Sequence, residues 1–259
     1  MMGGLSQRIA VVSGGSSGIG LAVVTQLLVA GYKVAFFGQH SEHVDAALTA
    51  LHRQFDPNDI LGRRADISVL NDVQAFFAEV EQLWRKPDIL ICNAGISPKT
   101  PEGAPTPFAS MDLEEWHGVL AVNLTGAMLC CQAVIPSMTS SRFGRIILVG
   151  SIAGRTLPKV AGAAYVASKA GLSGLCRSLV ASSIGSGVTI NVVAPGRVLT
   201  EMAGSADSPV NTAILERVPV GRLGTPDDIA HAITFLASSE AGFINGAILD
   251  VNGGEFAPL

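Results

Sequence analysis

Short apolar runs alternate with longer stretches of helical periodicity along nearly all of the 259 residues. That alternation is the signature of repeated β-α-β units. Ile9–Val12 reads as a first strand, followed by a glycine-rich turn and a helix from about Ser17 to Ala30. Gly31 ends that helix, as a residue free to adopt positive φ should. Val34–Phe37 is a second strand and Glu42–Gln54 a polar helix. Ile60–Ala65 is a weaker third strand, and Val69–Trp84 a helix with Phe76, Phe77, Val80 and Leu83 on one side. Ile89–Cys92 is the fourth strand. Ser97–Asp112 holds four prolines and reads as a loop. Asp112 caps the next helix, with Glu114 and Glu115 suited to its dipole. That helix runs to about Met138 and is apolar nearly all round past Val119, so it is buried on more than one side. Ile146–Val149 is a fifth strand and Ala163–Ser183 a helix of small and apolar residues. Val188–Val193 and Ala247–Val251 are further strands, with helices near Pro209–Val218 and Asp227–Ser238 between them. No repeat or linker divides the chain, so residues 1–259 read as one α/β domain.

Composition agrees. Hydrophobic residues make up 48%, charged residues 15%, and there are 29 glycines, as a parallel sheet covered on both faces requires. The apolar surplus suggests surface buried between subunits. A net charge of −4 without a basic run argues against nucleic acid and membrane as partners. No segment reaches the ~18 uninterrupted apolar residues of a membrane span. Residues 1–8 are too short and polar for a secretory signal. Cys92, Cys130, Cys131 and Cys176 lie in apolar surroundings without metal-ligand spacing. They read as reduced core thiols of a cytoplasmic protein that holds no metal.

Tyr165 and Lys169 stand four residues apart in a chain with two tyrosines and five lysines. On a helix they share one face, and a neighbouring cation favours the phenolate. That makes Tyr165 a candidate proton donor and acceptor. Ser13-Gly14-Gly15-Ser16-Ser17-Gly18-Ile19-Gly20 follows a strand and opens a helix, where glycines let a diphosphate approach the helix N-terminus. Asp66, after the third strand, and Asn93-Ala94-Gly95, after the fourth, lie where ligands collect in open α/β sheets.

Together these motifs resemble the short-chain dehydrogenase/reductase family over essentially the whole chain, in the family's order. Gly14, Gly18 and Gly20 match the glycine-rich turn, with Ser13 in place of Thr. Asp66-Ile67 is similar to the adenine-contacting Asp-Val pair, and Cys92-Asn93-Ala94-Gly95 to Asn-Asn-Ala-Gly. Asn123, Ser151, Tyr165 and Lys169 match the catalytic set. Pro195-Gly196 with Thr200 matches the motif beside the nicotinamide, and Asn252-Gly253-Gly254 the terminal Asp-Gly-Gly. The resemblance implies a doubly wound Rossmann fold with a mostly parallel, seven-stranded sheet and helices on both faces. It implies NAD(P)(H) held by Gly14, Ser16, Ser17, Gly18, Ile19, Gly20, Gln39, His40, Asp66, Ile67, Asn93, Ala94, Gly95, Tyr165, Lys169, Pro195, Gly196, Val198 and Thr200. It implies a homotetramer formed through the long apolar helix and the helix of Tyr165.

The end of the second strand reads Phe37-Gly38-Gln39-His40. An acid there would bind the ribose hydroxyls of NAD and repel a 2′-phosphate. Gly38 leaves NADP(H) favoured over NAD(H), although the family's usual cations at Ser16, Ser17 and Gln39 are missing. In the implied mechanism Tyr165 gives its proton to a carbonyl oxygen. Lys169 lowers the Tyr165 pKa and holds the nicotinamide ribose, Ser151 stabilises the developing charge, and Asn123 holds a relay water. The substrate surface is Ser97–Phe108, Ile152–Val160 and Val198–Val218, mainly apolar, with Lys99, Arg155, Lys159 and Glu201 at its margin. A neutral ketone, aldehyde or secondary alcohol fits it. Gly144-Arg145-Ile146, Ala170-Gly171-Leu172 and Gly221-Arg222-Leu223-Gly224 are similar to the 3-oxoacyl-(acyl-carrier-protein) reductase branch. Arg142 stands where it would dock an acidic carrier, but Ala181–Gly187 lacks that branch's charges. Sugar, polyol and steroid dehydrogenases share those signatures. A cofactor-sensing regulator is the non-enzymatic alternative, and it would have no need of Tyr165.

Overall fold

The computed structural model describes residues 7–101, 103–158 and 160–258; Lys159 and Met1–Ser6 lie outside them. The apolar runs become strands β1 (Ile9–Ser13), β2 (Lys33–Gly38), β3 (Ile60–Arg64), β4 (Ile89–Cys92), β5 (Gly144–Val149), β6 (Val188–Pro195) and β7 (Ile248–Val251). The first six pair in parallel with β7 in the order β3-β2-β1-β4-β5-β6-β7. Five of the seven, all but the edge strands β3 and β7, are almost wholly buried, which is why they read as continuous apolar runs rather than alternating ones. Register pairs Ser13 with Cys92, Cys92 with Leu148 and Leu148 with Val192. The carboxyl ends of β1, β4, β5 and β6 therefore open on one side. Strand order reverses between β1 and β4, where such sheets bind ligands.

Helices α1 (Gly18–Val29), α2 (Ser41–His52), α3 (Leu70–Leu83), α4 (Leu113–Leu120), α5 (Gly126–Ser141), α6 (Ala163–Ser182), α7 (Pro209–Leu215) and α8 (Pro226–Ala237) follow. Val23 and Leu27 of α1 join Ile229 and Ile233 of α8 in the core on one sheet face. Phe76 of α3, Val134 of α5 and Leu172 of α6 fill the other. In α3 the apolar stripe is narrower than its spacing suggested: Phe76, Phe77 and Val80 are buried, but Leu83 is 54% exposed.

The helix expected from Asp112 to Met138 begins as predicted, with the Asp112 carboxylate accepting from the Glu115 amide at 2.7 Å. A π turn at Ala121–Thr125 divides it into α4 and α5. Residues Leu113–Ser141 are together long and apolar enough to cross a membrane. Val119, Ala127, Cys130, Val134 and Met138 are buried in the protein core instead. All four cysteines are free and buried.

Candidate active site

Ser13, buried at the end of β1, stitches two loops together. Its hydroxyl accepts from the amides of Asn93 and Ala94 at 3.1 and 3.2 Å, and the Asn93 carboxamide donates to the Gly14 carbonyl at 2.9 Å. The turn is so tight that a Cβ on Gly14 would lie 2.8 Å from the Ala94 Cα, with φ at +63° besides. A Cβ on Gly20 would lie 1.9 Å from the Gly14 carbonyl oxygen. Only glycine fits either place. Gly20 thus supports the turn from behind and does not reach the cavity wall that Gly14 and Ser16–Ile19 form. Ser17 caps α1 without a side-chain hydrogen bond, leaving the first amides of the helix for an anionic ligand.

At the ends of β2 and β3, Gln39 donates to Asp66 at 3.1 Å, and Asp66 accepts from the Ser68 hydroxyl and amide at 2.6 and 2.9 Å. Burial pushes the Asp66 carboxyl up, but Ser68, Arg64 and Gln39 together hold it below its usual value. It is an acceptor at neutral pH. A Cβ on Gly38 would lie 2.4 Å from the Ser16 hydroxyl, so serine occupies the space where an acidic side chain would begin. His40 and His43 stand beside it with ring centres 5.4 Å apart, and both line the cavity.

The proton-transfer candidates converge from three elements. Ser151 follows β5, and its hydroxyl accepts from the Ala153 amide at 3.1 Å. Tyr165 and Lys169 come from α6. Burial raises the Tyr165 pKa; the Ser151 hydroxyl and then the Arg197 charge pull against it. The expected lowering by Lys169 is therefore corrected. Its Nζ donates to the Val149 carbonyl at 2.8 Å and lies 5.7 Å from the Tyr165 ring centre. Burial holds that ammonium down to about 8, so it is a weaker cation than an exposed lysine.

Asn123 sits in the π turn and is buried. Its Oδ1 accepts from the Ile96 amide at 2.8 Å, and its Nδ2 donates to the Ile96 carbonyl and the Ser168 hydroxyl, each at 3.0 Å. The carboxamide braces the segment after β4. Its side-chain hydrogen bonds to protein groups give Asn123 a bracing role in addition to the relay water expected there. Asn123 and Gly20 are the two expected site residues off the cavity wall; Gln39, Ile67, Gly95, Pro195, Gly196, Val198, Thr200 and the others line it. Thr200 reaches the glycine-rich turn: a Cβ on Gly18 would lie 3.2 Å from its methyl.

The cavity measures about 720 Å³ and runs from the glycine-rich turn to Tyr165. Its lining fits a nicotinamide dinucleotide, with a glycine cradle at a helix N-terminus, Asp66 and Ile67 after β3, and Tyr165 and Lys169 from α6. Arg197, half-buried between Gly196 and Val198, also lines it. Nothing in the local pattern marked it, because an arginine after a turn usually reads as a surface residue. Arg155, expected at the substrate margin, is instead paired with Asp250 and lies 5.3 Å from the Phe256 ring centre. Lys99 and Glu201 do line the cavity. Arg142 precedes β5 and so lies at the opposite end of that strand from Ser151. It is not on this chain's own cavity wall.

A family model described as enoyl-(acyl carrier protein) reductase matches residues 14–255. An acetoacetyl-CoA reductase of Shinella zoogloeoides is 37% identical over 251 residues, which span 96% of this chain and 98% of that one. A 3-oxoacyl-(acyl-carrier-protein) reductase of Salmonella typhimurium is 36% identical over 252 residues, spanning 96% and 97%. The crystal structure of a 3-oxoacyl-(acyl-carrier protein) reductase from Brucella melitensis matches with a TM-score of 0.88 at 30% identity, covering 96% of this chain and 92% of that one.

Proposed function

The chain belongs to the short-chain dehydrogenase/reductase family, and from that premise we propose that it uses NADP(H) to reduce the 3-oxo group of an acyl thioester. The observation that carries this reading is one cavity with a glycine cradle at one end and Ser151, Tyr165 and Lys169 at the other. Two relatives that act on 3-oxoacyl thioesters by name, matched along almost their whole length, support the substrate class.

When bound, the dinucleotide supplies a hydride to the carbonyl carbon. The chain's own residues do the rest. Tyr165 donates its phenolic proton to the carbonyl oxygen, and Ser151 donates a hydrogen bond to the same oxygen, so negative charge forms against two fixed dipoles. Lys169, held by the Val149 carbonyl, binds the nicotinamide ribose. Asn123 acts as a positioning residue: it fixes the backbone of Ile96 and, through Ser168, the first turns of α6. Gly14–Ile19 hold the diphosphate, while Asp66 and Ile67 bound the adenine. Gly38 and Ser16 admit a 2′-phosphate where an acid would repel it, with His40 and His43 beside it. Residues 1–259 act as one nucleotide-binding unit, and the segment 198–218 covers the substrate.

The test follows absorbance of the reduced nicotinamide with NADPH and NADH against acetoacetyl thioesters, simple ketones, sugars and secondary alcohols. Turnover of the thioester with NADPH is expected. Turnover confined to sugars or polyols would overturn the substrate, and tight cofactor binding without turnover of any of these compounds would overturn the enzymatic reading.

A further inference from the structure

We propose that Arg197 reads the second oxygen of a 1,3-dicarbonyl substrate, donating to the C1 oxygen while the C3 ketone lies at Ser151 and Tyr165. This rests on the carbonyl-reductase reading above and names the feature of the substrate that selects it.

Arg197 begins the segment that leaves β6 over the cavity, directly after Gly196, and shares the cavity wall with Ser151 and Tyr165. Its guanidinium is held rigidly. Nε donates to Asn211 Oδ1 at 2.7 Å and Nη2 to the Ala203 carbonyl at 2.8 Å. Asn211 is fully buried and anchored in turn, its Nδ2 donating to the carbonyls of Ser205 and Ala203 at 2.7 and 3.2 Å. These bonds engage two of the five N–H donors of an arginine. Nη1 makes no hydrogen bond, and no carboxylate lies within ion-pair distance of the guanidinium, among the described residues. Glu255 is near enough to favour its charge but pairs with Arg217 at 3.3 Å. The other Lys and Arg side chains on this wall are engaged: Lys99 donates to the Val160 carbonyl, Lys169 to the Val149 carbonyl, and Arg217 pairs with Glu255.

A guanidinium held at one edge keeps its remaining donors free on the cavity wall, where a ligand oxygen can take the place of water. Arg197 lines the same cavity as Ser151 and Tyr165, so a ligand whose carbonyl lies at those two residues shares that cavity with its guanidinium. In a 3-oxoacyl group a second carbonyl stands two carbons from the reacting one, and a planar fork fixed at one edge offers its free N–H groups to such an acceptor. A thioester carbonyl and a free carboxylate both present that acceptor.

The experiment compares wild type with Arg197→Met and Arg197→Lys. Substrates are acetoacetyl N-acetylcysteamine thioester, acetoacetate and a mono-ketone of matched length, with NADPH affinity measured separately by fluorescence. Wild type should prefer one of the two dicarbonyls over the mono-ketone, and which one it prefers identifies thioester or carboxylate. Arg197→Met should lower kcat/KM for that dicarbonyl by about 30-fold, the loss of one charged hydrogen bond. The mono-ketone should lose several-fold less than the dicarbonyl, because any effect of the Arg197 charge on Tyr165 is common to both substrates; the NADPH affinity should change by less than about threefold, and Arg197→Lys should recover part of the preference. Equal losses on all substrates would make Arg197 only a clamp on the loop, and a weakened NADPH affinity would make it a cofactor contact; either overturns the proposal. Wild type that reduces the mono-ketone as well as the dicarbonyls overturns it while leaving the reductase reading standing. Wild type that reduces no carbonyl overturns both.

Discussion

The Lys169 ammonium donates to the Val149 main-chain carbonyl at 2.8 Å, so the lysine is anchored to the sheet before any ligand arrives. The Tyr165 phenol answers instead to Ser151 and Arg197. Proton transfer and ribose binding therefore draw on different supports within a pair that the sequence spacing joins.

Replacing Tyr165 by Phe should lower kcat by about 100-fold or more, the scale of a lost general acid, with NADPH affinity retained. Single-turnover absorbance together with a fluorescence titration measures both. Near wild-type turnover would remove Tyr165 from the chemistry.

Burial lowers the Lys169 pKa from 10.5 to about 8. Between those values the unfolded chain binds the proton and the folded chain does not, so this group's contribution to stability rises with pH across the window. Raised thiol pKa values at Cys130 and Cys176 act in the opposite direction, so the informative quantity is a difference. Cofactor-free Lys169→Met should melt above wild type at pH 7, and the gap should shrink toward pH 10. A gap independent of pH would show that the ammonium carries no burial penalty.

Gly38→Asp brings an acid to the end of β2 at the cost of turning the Ser16 hydroxyl, 2.4 Å from the new Cβ. The ratio of kcat/KM for NADPH to that for NADH should fall at least about tenfold, the effect of placing like charges together. Unchanged selectivity would mean that the 2′-phosphate binds elsewhere.

Ser13→Ala removes the acceptor shared by the Asn93 and Ala94 amides. Leaving such donors unpaired costs about 1–3 kcal/mol, and urea unfolding should register it. Ser13→Thr keeps the hydroxyl and should unfold close to wild type.

Met128 and Leu129 of α5 remain partly exposed, and Phe243 is fully exposed at 102%. A second copy packed on α5 would cover Met128 and Leu129. Light scattering should give the mass of a homotetramer; a monomeric mass would refute the assembly.

Much of this site was legible because its parts are glycines and strand ends. Gly14 and Gly18 take positive φ, and Asn93, Ser151 and Gly196 each follow a buried apolar run that the sequence displays. What stayed hidden depends on where side chains end. The spacing of Tyr165 and Lys169 defines a helix face but not the choice of Val149 as partner. The role of Arg197 emerges only when Asn211, fourteen residues on, folds back against it. Arg142 lies nine residues before Ser151, yet β5 separates them, so the two stand at opposite ends of that strand.

The π turn at Ala121–Thr125 also changes the phase of the helix it interrupts. At 100° per residue, Val119 and Cys131 would point about 120° apart on an unbroken α-helix. One extra residue in the turn takes back about 100° of that, and both side chains are buried in the core. The bulge thus straightens the seam along which α4 and α5 meet the protein, with Asn123 at the point of correction. Deleting a single residue there would make the helix more regular and rotate one half of it away from the other's footing.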